Sequence, residues 1–344
     1  MTSKNITFLS SKKMGLSSDL KYFELYLNKY GLVRDSYLRF FCKNEKGGNA
    51  MVNQGYRDAK KDFCKDADNI ICVDASLPAG RNCFKDNCVR ILLAVPMEYQ
   101  FKNMLLKKKN TPKYKTFKHF THIIVGSPFT ETLFQKVYQL DDTELIGDVC
   151  MPTVWSLQQE SIREEKIAWF DFYFPEAKGR KILSIIISGK VSGKEKFIKE
   201  FDIQSLFEYL GDDWFVVTNS VDLLENVKVF EQKNRERFGY LKKIMLVQDL
   251  LFVSDAVVTN NGNYAAYFST RNKPVYCLKI INNYFERYMQ VFHPDLILNS
   301  FNDLLVKNLG EQRIENKAQN AFRDLFSYKK LKSPYETIYD ICNN

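Results

Sequence analysis

Short apolar runs alternate with polar, helix-spaced stretches along most of the chain. Ile6–Leu9 reads as a strand. Asp19–Tyr30 carries Leu20, Phe23, Leu27 and Tyr30 at helical spacing, with Ser17 or Ser18 placed to cap it. Tyr37–Cys42, Asn69–Val73, Val89–Val95 and Thr121–Val125 have the composition of further buried strands, and the polar segment Ala50–Lys65 that of a helix among them. Ser127 and Pro128 open another helix, with Glu131–Tyr138 as its body. Strands that alternate with helices predict a parallel sheet, because a parallel pair needs a crossover long enough to hold a helix.

Pro152 interrupts this pattern, and Gln158–Glu165 is polar and charged, so Met151–Lys166 reads as a connection with a boundary near Trp155–Lys166. Two domains are expected, 1–160 and 161–344. Beyond the boundary the pattern predicts strands at Ile167–Phe172, Ile182–Ile187, Phe215–Thr218, Ala256–Thr259 and Val275–Leu278. Helices are predicted at Ile203–Leu210, Gly239–Val247, Tyr264–Ser269 and Ala318–Tyr328.

Composition agrees with two cores. A chain of 344 residues exceeds what one core usually serves, and 45% hydrophobic with 14% aromatic residues excludes a disordered or low-complexity polymer. The longest apolar runs, Ile91–Met97 and Ile182–Ile187, fall far short of the roughly 18 to 20 residues of a spanning helix. The first thirty residues mix Asp19, Glu24 and several Lys into the apolar positions, unlike a secretory signal, so a cytoplasmic location is expected. Of the eight Cys only Cys83 and Cys88 are close, which is too few for a zinc knuckle and suits reduced thiols.

The net charge of +9 is uneven: seven Lys and no acid lie between Lys102 and Lys118, on a stretch that Pro112 keeps from being one helix. Lys107, Lys108 and Lys109 are its centre. A solvated surface loop is one reading; the other is peripheral contact with the inner face of a membrane or with a phosphate-bearing acceptor. No nucleic-acid-binding pattern accompanies the charge.

Three loops are candidates for chemistry. From Leu250 to Cys277 an apolar strand ends at Val258, Thr259–Asn263 make a turn, and a helix follows. Helix N-terminal amides and the helix dipole there suit an anion, Gly262 permits close approach, and Thr259, Asn260 and Asn263 add side-chain donors. Any strand-turn-helix crossover has a similar cap, so a purely structural role is the competing reading. The stretch Ile187–Lys194 follows a buried strand and contains Ser188, Gly189 and Lys190, suited to phosphate although without Walker spacing; a flexible turn is its alternative. The loop Ser10–Ser18 places Lys12, Lys13 and Ser17 at the other sheet's carboxyl edge, on the acceptor side. The three His, at 119, 122 and 293, form no triad or metal pair, and no Gly-x-Gly-x-x-Gly follows a predicted strand.

Four segments resemble the CDP-glycerol glycerophosphotransferase family, the teichoic-acid primases and polymerases of GT-B fold. Ser17–Leu27 is similar to that family's opening loop and helix, and Gly126-Ser-Pro-Phe-Thr-Glu-Thr-Leu-Phe134 to its Ser-Pro-Phe/Tyr helix start. Ile146-Gly-Asp-Val-Cys-Met-Pro152 stands at its Gly-Tyr-Pro-Arg turn, and Ser254-Asp255 through Lys273-Pro274 is similar to its Ser-Asp-x-x-x-Thr-Asp-Tyr-Ser-Ser … Lys-Pro segment. The likeness runs from about residue 5 to 280, with each motif degenerate. It implies a GT-B-like α/β fold, with two Rossmann-like domains whose parallel sheets face an interdomain cleft.

By that resemblance Thr259 matches a donor-phosphate residue, while Asn260, Asn261, Gly262 and Asn263 replace Asp, Tyr, Ser and Ser. Both family histidines are missing: Leu92-Leu-Ala-Val-Pro96 stands where Trp-His-Gly-Thr-Pro is usual, and Thr218-Asn219-Ser220 where a His-Pro is usual. Glu98 is a candidate substitute base, or simply an exposed helix-start glutamate.

The implied activity is transfer from a nucleotide-activated donor, a CDP-alditol or a nucleotide sugar, to a glycan or lipid-linked acceptor at the cell surface, with no metal required. One alternative is a catalytically silent nucleotide- or glycan-binding subunit; another is an unrelated two-domain Rossmann-like enzyme.

Overall fold

The computed structural model describes residues 4–10, 36–43, 49–51, 64–65, 67–73, 84–94, 97–106, 117–140, 144–189, 203–221, 227–241, 245–305, 309, 317–327 and 332–343. The helix expected at Asp19–Tyr30 lies outside these residues, as do Lys12, Lys13, Ser17, Lys107, Lys108, Lys109 and Lys190. The chain forms two units: Met1–Pro96 with Leu106–Trp155 and Ser327–Asn344, and Met97–Leu105 with Ser156–Phe326. Instead of dividing once, the chain also lends a helix and its tail across the boundary.

The first unit holds a seven-stranded sheet in the order β3-β2-β1-β4-β5-β6-β7. Its strands are β1 (Lys4–Ser10), β2 (Ser36–Lys43), β3 (Asn49–Met51), β4 (Asn69–Val73), β5 (Val89–Ala94), β6 (His122–Gly126) and β7 (Glu144–Cys150). Only β3 is antiparallel. It occupies the start of the expected Ala50–Lys65 helix. The near-continuous apolar runs of β4, β5 and β6 follow from burial: Ile70, Ile71, Ile91, Leu92, Ile123 and Ile124 are at most 1% exposed.

After β6, Gly126 takes a left-handed φ of 67° and Ser127 caps the helix Pro128–Thr132, its Oγ accepting from the Thr130 N–H at 3.1 Å. A π-helical turn, Leu133–Tyr138, continues it. Phe134 and Tyr138 pack with Phe117 at centroid distances of 5.2 to 5.3 Å. The segment Ile146–Pro152, read as a turn by resemblance, is mostly the parallel strand β7.

The second sheet, ordered β10-β9-β8-β11-β12-β13, is parallel throughout. Its strands are β8 (Lys181–Ile186), β9 (Trp214–Thr218), β10 (Phe238–Tyr240), β11 (Ala256–Thr259), β12 (Val275–Leu278) and β13 (Ile297–Leu298). Helices used below are α1 (Met97–Leu106), α2 (Glu160–Tyr173), α3 (Gly262–Ser269), α4 (Tyr284–Phe292), α5 (Lys317–Phe326) and α6 (Pro334–Asn343).

Two further expected elements differ, both in the second unit. Ile167–Phe172 is helical, part of α2: Phe170 and Phe174, four residues apart, are buried, while Trp169 and Phe172 are exposed. The start of the helix expected at Gly239–Val247 is strand instead: Gly239 sits in β10, where an added Cβ would meet the Phe174 ring at 2.6 Å. That close approach, which needs a glycine, is invisible in the local sequence.

No helix among the described residues is long and apolar enough to cross a membrane. Cys64, Cys88, Cys150, Cys277 and Cys342 are buried, and burial pushes the Cys88 thiol up to about 11.

Ser127→Ala should cost about 1 kcal/mol by removing the cap, read as a lower urea midpoint at unchanged slope. An unchanged midpoint would show that the cap carries no stability.

Candidate functional site

In the second unit the chain builds β8, β9 and β10 outward in one direction, then returns to place β11 on the other side of β8. The switch point is therefore the carboxyl edge between β8 and β11, from which the crossovers leave in opposite directions. Two candidate loops 70 residues apart in sequence, Ser188–Gly189 after β8 and Thr259–Asn263 after β11, meet there.

Asparagine side chains stitch the two loops together. Asn260, with no exposure, accepts the Ser188 N–H at 2.8 Å and donates to the Ser188 carbonyl at 2.9 Å, as a further strand residue would. Asn219 does the same to Ile187, at 2.8 and 2.9 Å. Asn261 Nδ2 donates to Ser188 Oγ at 2.8 Å. Thr259 Oγ1 donates to the Ile186 carbonyl at 2.7 Å and accepts from the Asn261 N–H at 3.0 Å. Thr259 and Asn260, expected as phosphate contacts, thus spend their polar atoms inside the protein and are fully buried.

The start of α3 was expected to offer open amides. Instead Asn261 is its N-cap, and its Oδ1 accepts from the N–H groups of Asn263 and Tyr264 at 2.9 and 3.3 Å. Gly262 is buried, and a Cβ there would stand 2.5 Å from the Phe101 ring of α1. Asn263 Oδ1 accepts the Met97 N–H at 2.8 Å. The glycine therefore admits a phenylalanine ring rather than a phosphate. Burial raises the Tyr264 hydroxyl pKa beside it.

Phe101 belongs to an aromatic cluster with Phe285 and Tyr288 of α4 at 5.2 and 4.8 Å and Phe326 of α5 at 6.3 Å. Phe322 and His293 extend it, 5.3 Å apart, and burial lowers the His293 pKa. Glu98 is the second residue of α1.

The chain has the two-unit α/β fold of GT-B proteins. The wall teichoic acid polymerase TagF is similar over 99% of this chain and 88% of that one, at 17% identity and a TM-score of 0.68. UDP-GlcNAc 2-epimerase from Methanocaldococcus jannaschii is similar over 99% and 100%, at 11% identity and 0.54. The Neisseria meningitidis enzyme of that name, bound to UDP-GlcNAc, is similar over the same shares at 9% and 0.53. No protein-family model and no curated protein matches the sequence.

Several residues at this edge escaped sequence reasoning. Asn283 caps α4 through the Glu286 N–H at 2.8 Å and donates to the Asn260 carbonyl at 2.8 Å. Glu286, 1% exposed, accepts from the N–H groups of Ile280, Ile281 and Asn282, with Asn282 at a left-handed φ of 54°. This nest of amides at the end of β12 has the geometry that binds anions, and the chain fills it with its own carboxylate. An Asn-Asn-x-x-Glu spacing before an apolar run was its only sequence signal. His119 and His122 lie in the first unit, flanking Phe120, and no group of His, Cys, Asp and Glu among the described residues is placed to hold a metal.

Asn260→Ala leaves both polar groups of Ser188 without their partner and should cost about 2 kcal/mol in urea unfolding; a loss under ~0.5 kcal/mol would mean the edge is not stitched this way. Gly262→Ala should cost about 1–3 kcal/mol by displacing Phe101, and Phe101→Leu in the same chain should recover part of it.

Burial lowers the His293 pKa in the folded state below the ordinary 6.5 of the unfolded chain, so its contribution to stability is present above that pH and is lost as the pH falls through the folded value. His293→Gln should flatten the decline in stability between about pH 7 and 5; an identical decline in the variant would assign it to other groups.

Proposed function

We propose that the chain is a transferase that takes a nucleotide-activated donor, a CDP-alditol or a nucleotide sugar, and builds a cell-surface glycan on a glycan or lipid-linked acceptor. One observation carries the reading: Ser188–Gly189 and Asn261–Asn263 converge at the switch point of a parallel sheet, in a fold shared with TagF across nearly its whole length. The donor phosphates would lie on these loops and replace the Asn261 carboxamide oxygen as acceptor for the Asn263 and Tyr264 amides. Ser188, Gly189 and Lys190 would add contacts, and donors on the leaving nucleotide would stabilise the charge that develops there. Glu98 remains the candidate base, and Lys12, Lys13 and Ser17 the acceptor side.

The capped helix and the two absent histidines favour a second reading, a silent nucleotide- or glycan-binding subunit. Asn219, at the place of the second histidine, is occupied with the Ile187 backbone. Release of nucleotide from a CDP- or UDP-linked donor supports the transferase; tight binding with no turnover supports the subunit.

Asn261→Ala should uncap the two amides and keep or tighten the binding of CDP or UDP, whereas Asn261→Asp should fix a carboxylate in the phosphate position and weaken binding at least about tenfold. Calorimetry on folded protein that detects no nucleotide binding in either the parent or Asn261→Ala removes the donor site from this edge.

The membrane reading belongs to Lys107, Lys108 and Lys109. Changing all three to Gln should lower association with anionic liposomes at low salt, and equal association of both proteins would dismiss it.

A further inference from the structure

The opposite edge of the second sheet holds a cavity of about 320 Å³, in the size range of small-ligand sites. It opens where four neighbouring strands begin: at Lys181 on β8, Trp214 on β9, Asp255 before β11 and Pro274 before β12. Residues of α5 line its other side. Its position at the amino ends of the strands separates it from the Ser188 and Asn261 loops at the carboxyl ends.

The charges facing it do not balance. Asp255 is the lining carboxylate, and both of its oxygens are used: Oδ1 pairs with Lys273 Nζ at 2.6 Å, and Oδ2 accepts the Ile182 N–H at 2.9 Å. Lys273 also donates to the Ser254 carbonyl at 3.1 Å, so it is spent on the wall. One cation is left over, and a second is only weakly balanced. Lys181 rests over the Trp214 ring, 5.7 Å from its centroid, with no carboxylate partner among the described residues. Arg323 pairs with Asp324 at 3.4 Å, but that carboxylate is 70% exposed and its field is screened by water.

A second feature has no charge in it. The Tyr276 side chain lines the cavity with no exposure, and its hydroxyl finds no hydrogen-bond acceptor. Gln319 stands beside it, yet both ends of that amide are engaged by the Val275 backbone, at 2.9 and 3.2 Å. Burial pushes the phenol up to about 12, with Gln319 working the other way, so the group is a donor at neutral pH. A buried donor without an acceptor is costly to keep unless something it can bind to arrives.

We infer that this cavity is a binding site for a small molecule carrying a phosphate or carboxylate group, held by Lys181, Arg323 and the Tyr276 hydroxyl with its body against Trp214. The anion supplies the acceptor that Tyr276 lacks, a countercharge for Lys181, and a less screened partner for Arg323 than Asp324 provides. The inference does not depend on the donor site at the carboxyl edge.

The test titrates the full chain with inorganic phosphate, phenyl phosphate and benzoate, read by tryptophan fluorescence and by calorimetry. The phosphate and carboxylate arms separate the two sources of the anion, and phenyl phosphate against inorganic phosphate reports the Trp214 wall. Saturable one-to-one binding of at least one probe is expected, weakened tenfold or more in Lys181→Met and in Tyr276→Phe. Tyr276→Phe keeps the shape of the wall, and far-UV circular dichroism confirms that each variant is folded. Nucleotide affinity should be the same in both variants as in the parent, which separates this site from the other edge. No saturable binding of any probe, or binding that both folded variants leave unchanged, overturns the inference.

Discussion

The second unit depends on keeping β8 and β11 paired to their carboxyl ends. Parallel strands diverge as their crossovers leave the sheet, and the last backbone groups would be left without partners. Asn260 and Asn219 prevent this by acting as strand residues made of side chain, each pairing with both polar groups of one residue just past the end of β8. Thr259 adds a bond from below. These bonds, with that from Asn261 Nδ2 to Ser188 Oγ, tie the loops Ser188–Gly189 and Asn261–Asn263 to this edge.

The same closure explains why polar residues suited to a phosphate are so fully used. A helix start at a sheet's carboxyl edge must satisfy its first amides with something, and here Asn261 does so. A few residues on, Glu286 satisfies three amides of the loop after β12. Anion geometry at this edge is real, and side chains of the chain itself currently supply the acceptors. Exchange of one such acceptor for a phosphate is a smaller step than building a site, because the donors are already aimed.

Gly262 shows how a single residue type carries two meanings. A glycine at a helix start permits close approach, and the approaching group is the Phe101 ring of a helix lent by an earlier part of the chain. The choice between phosphate and ring is made by α1, about 160 residues away in sequence, and the aromatic cluster with Phe285, Tyr288 and Phe326 holds it there.

The sequence alone determined the elements whose burial is complete on both faces or periodic on one. Asn69–Val73, Ile203–Leu210, Ala256–Thr259 and Val275–Leu278 match the structure residue for residue, because an apolar strand or stripe is recorded in the chain itself. Their alternation also foretold two parallel sheets. Tertiary structure alone decided the rest: that Ile167–Phe172 turns as a helix with Trp169 outside, that β3 runs antiparallel, and that Asp255 and Lys273 clasp at one edge while Asn260 and Ser188 clasp at the other. Whether a polar residue faces a ligand or a backbone group depends on which strand lies beside it, and strand order is a property of the folded chain that no local spacing records.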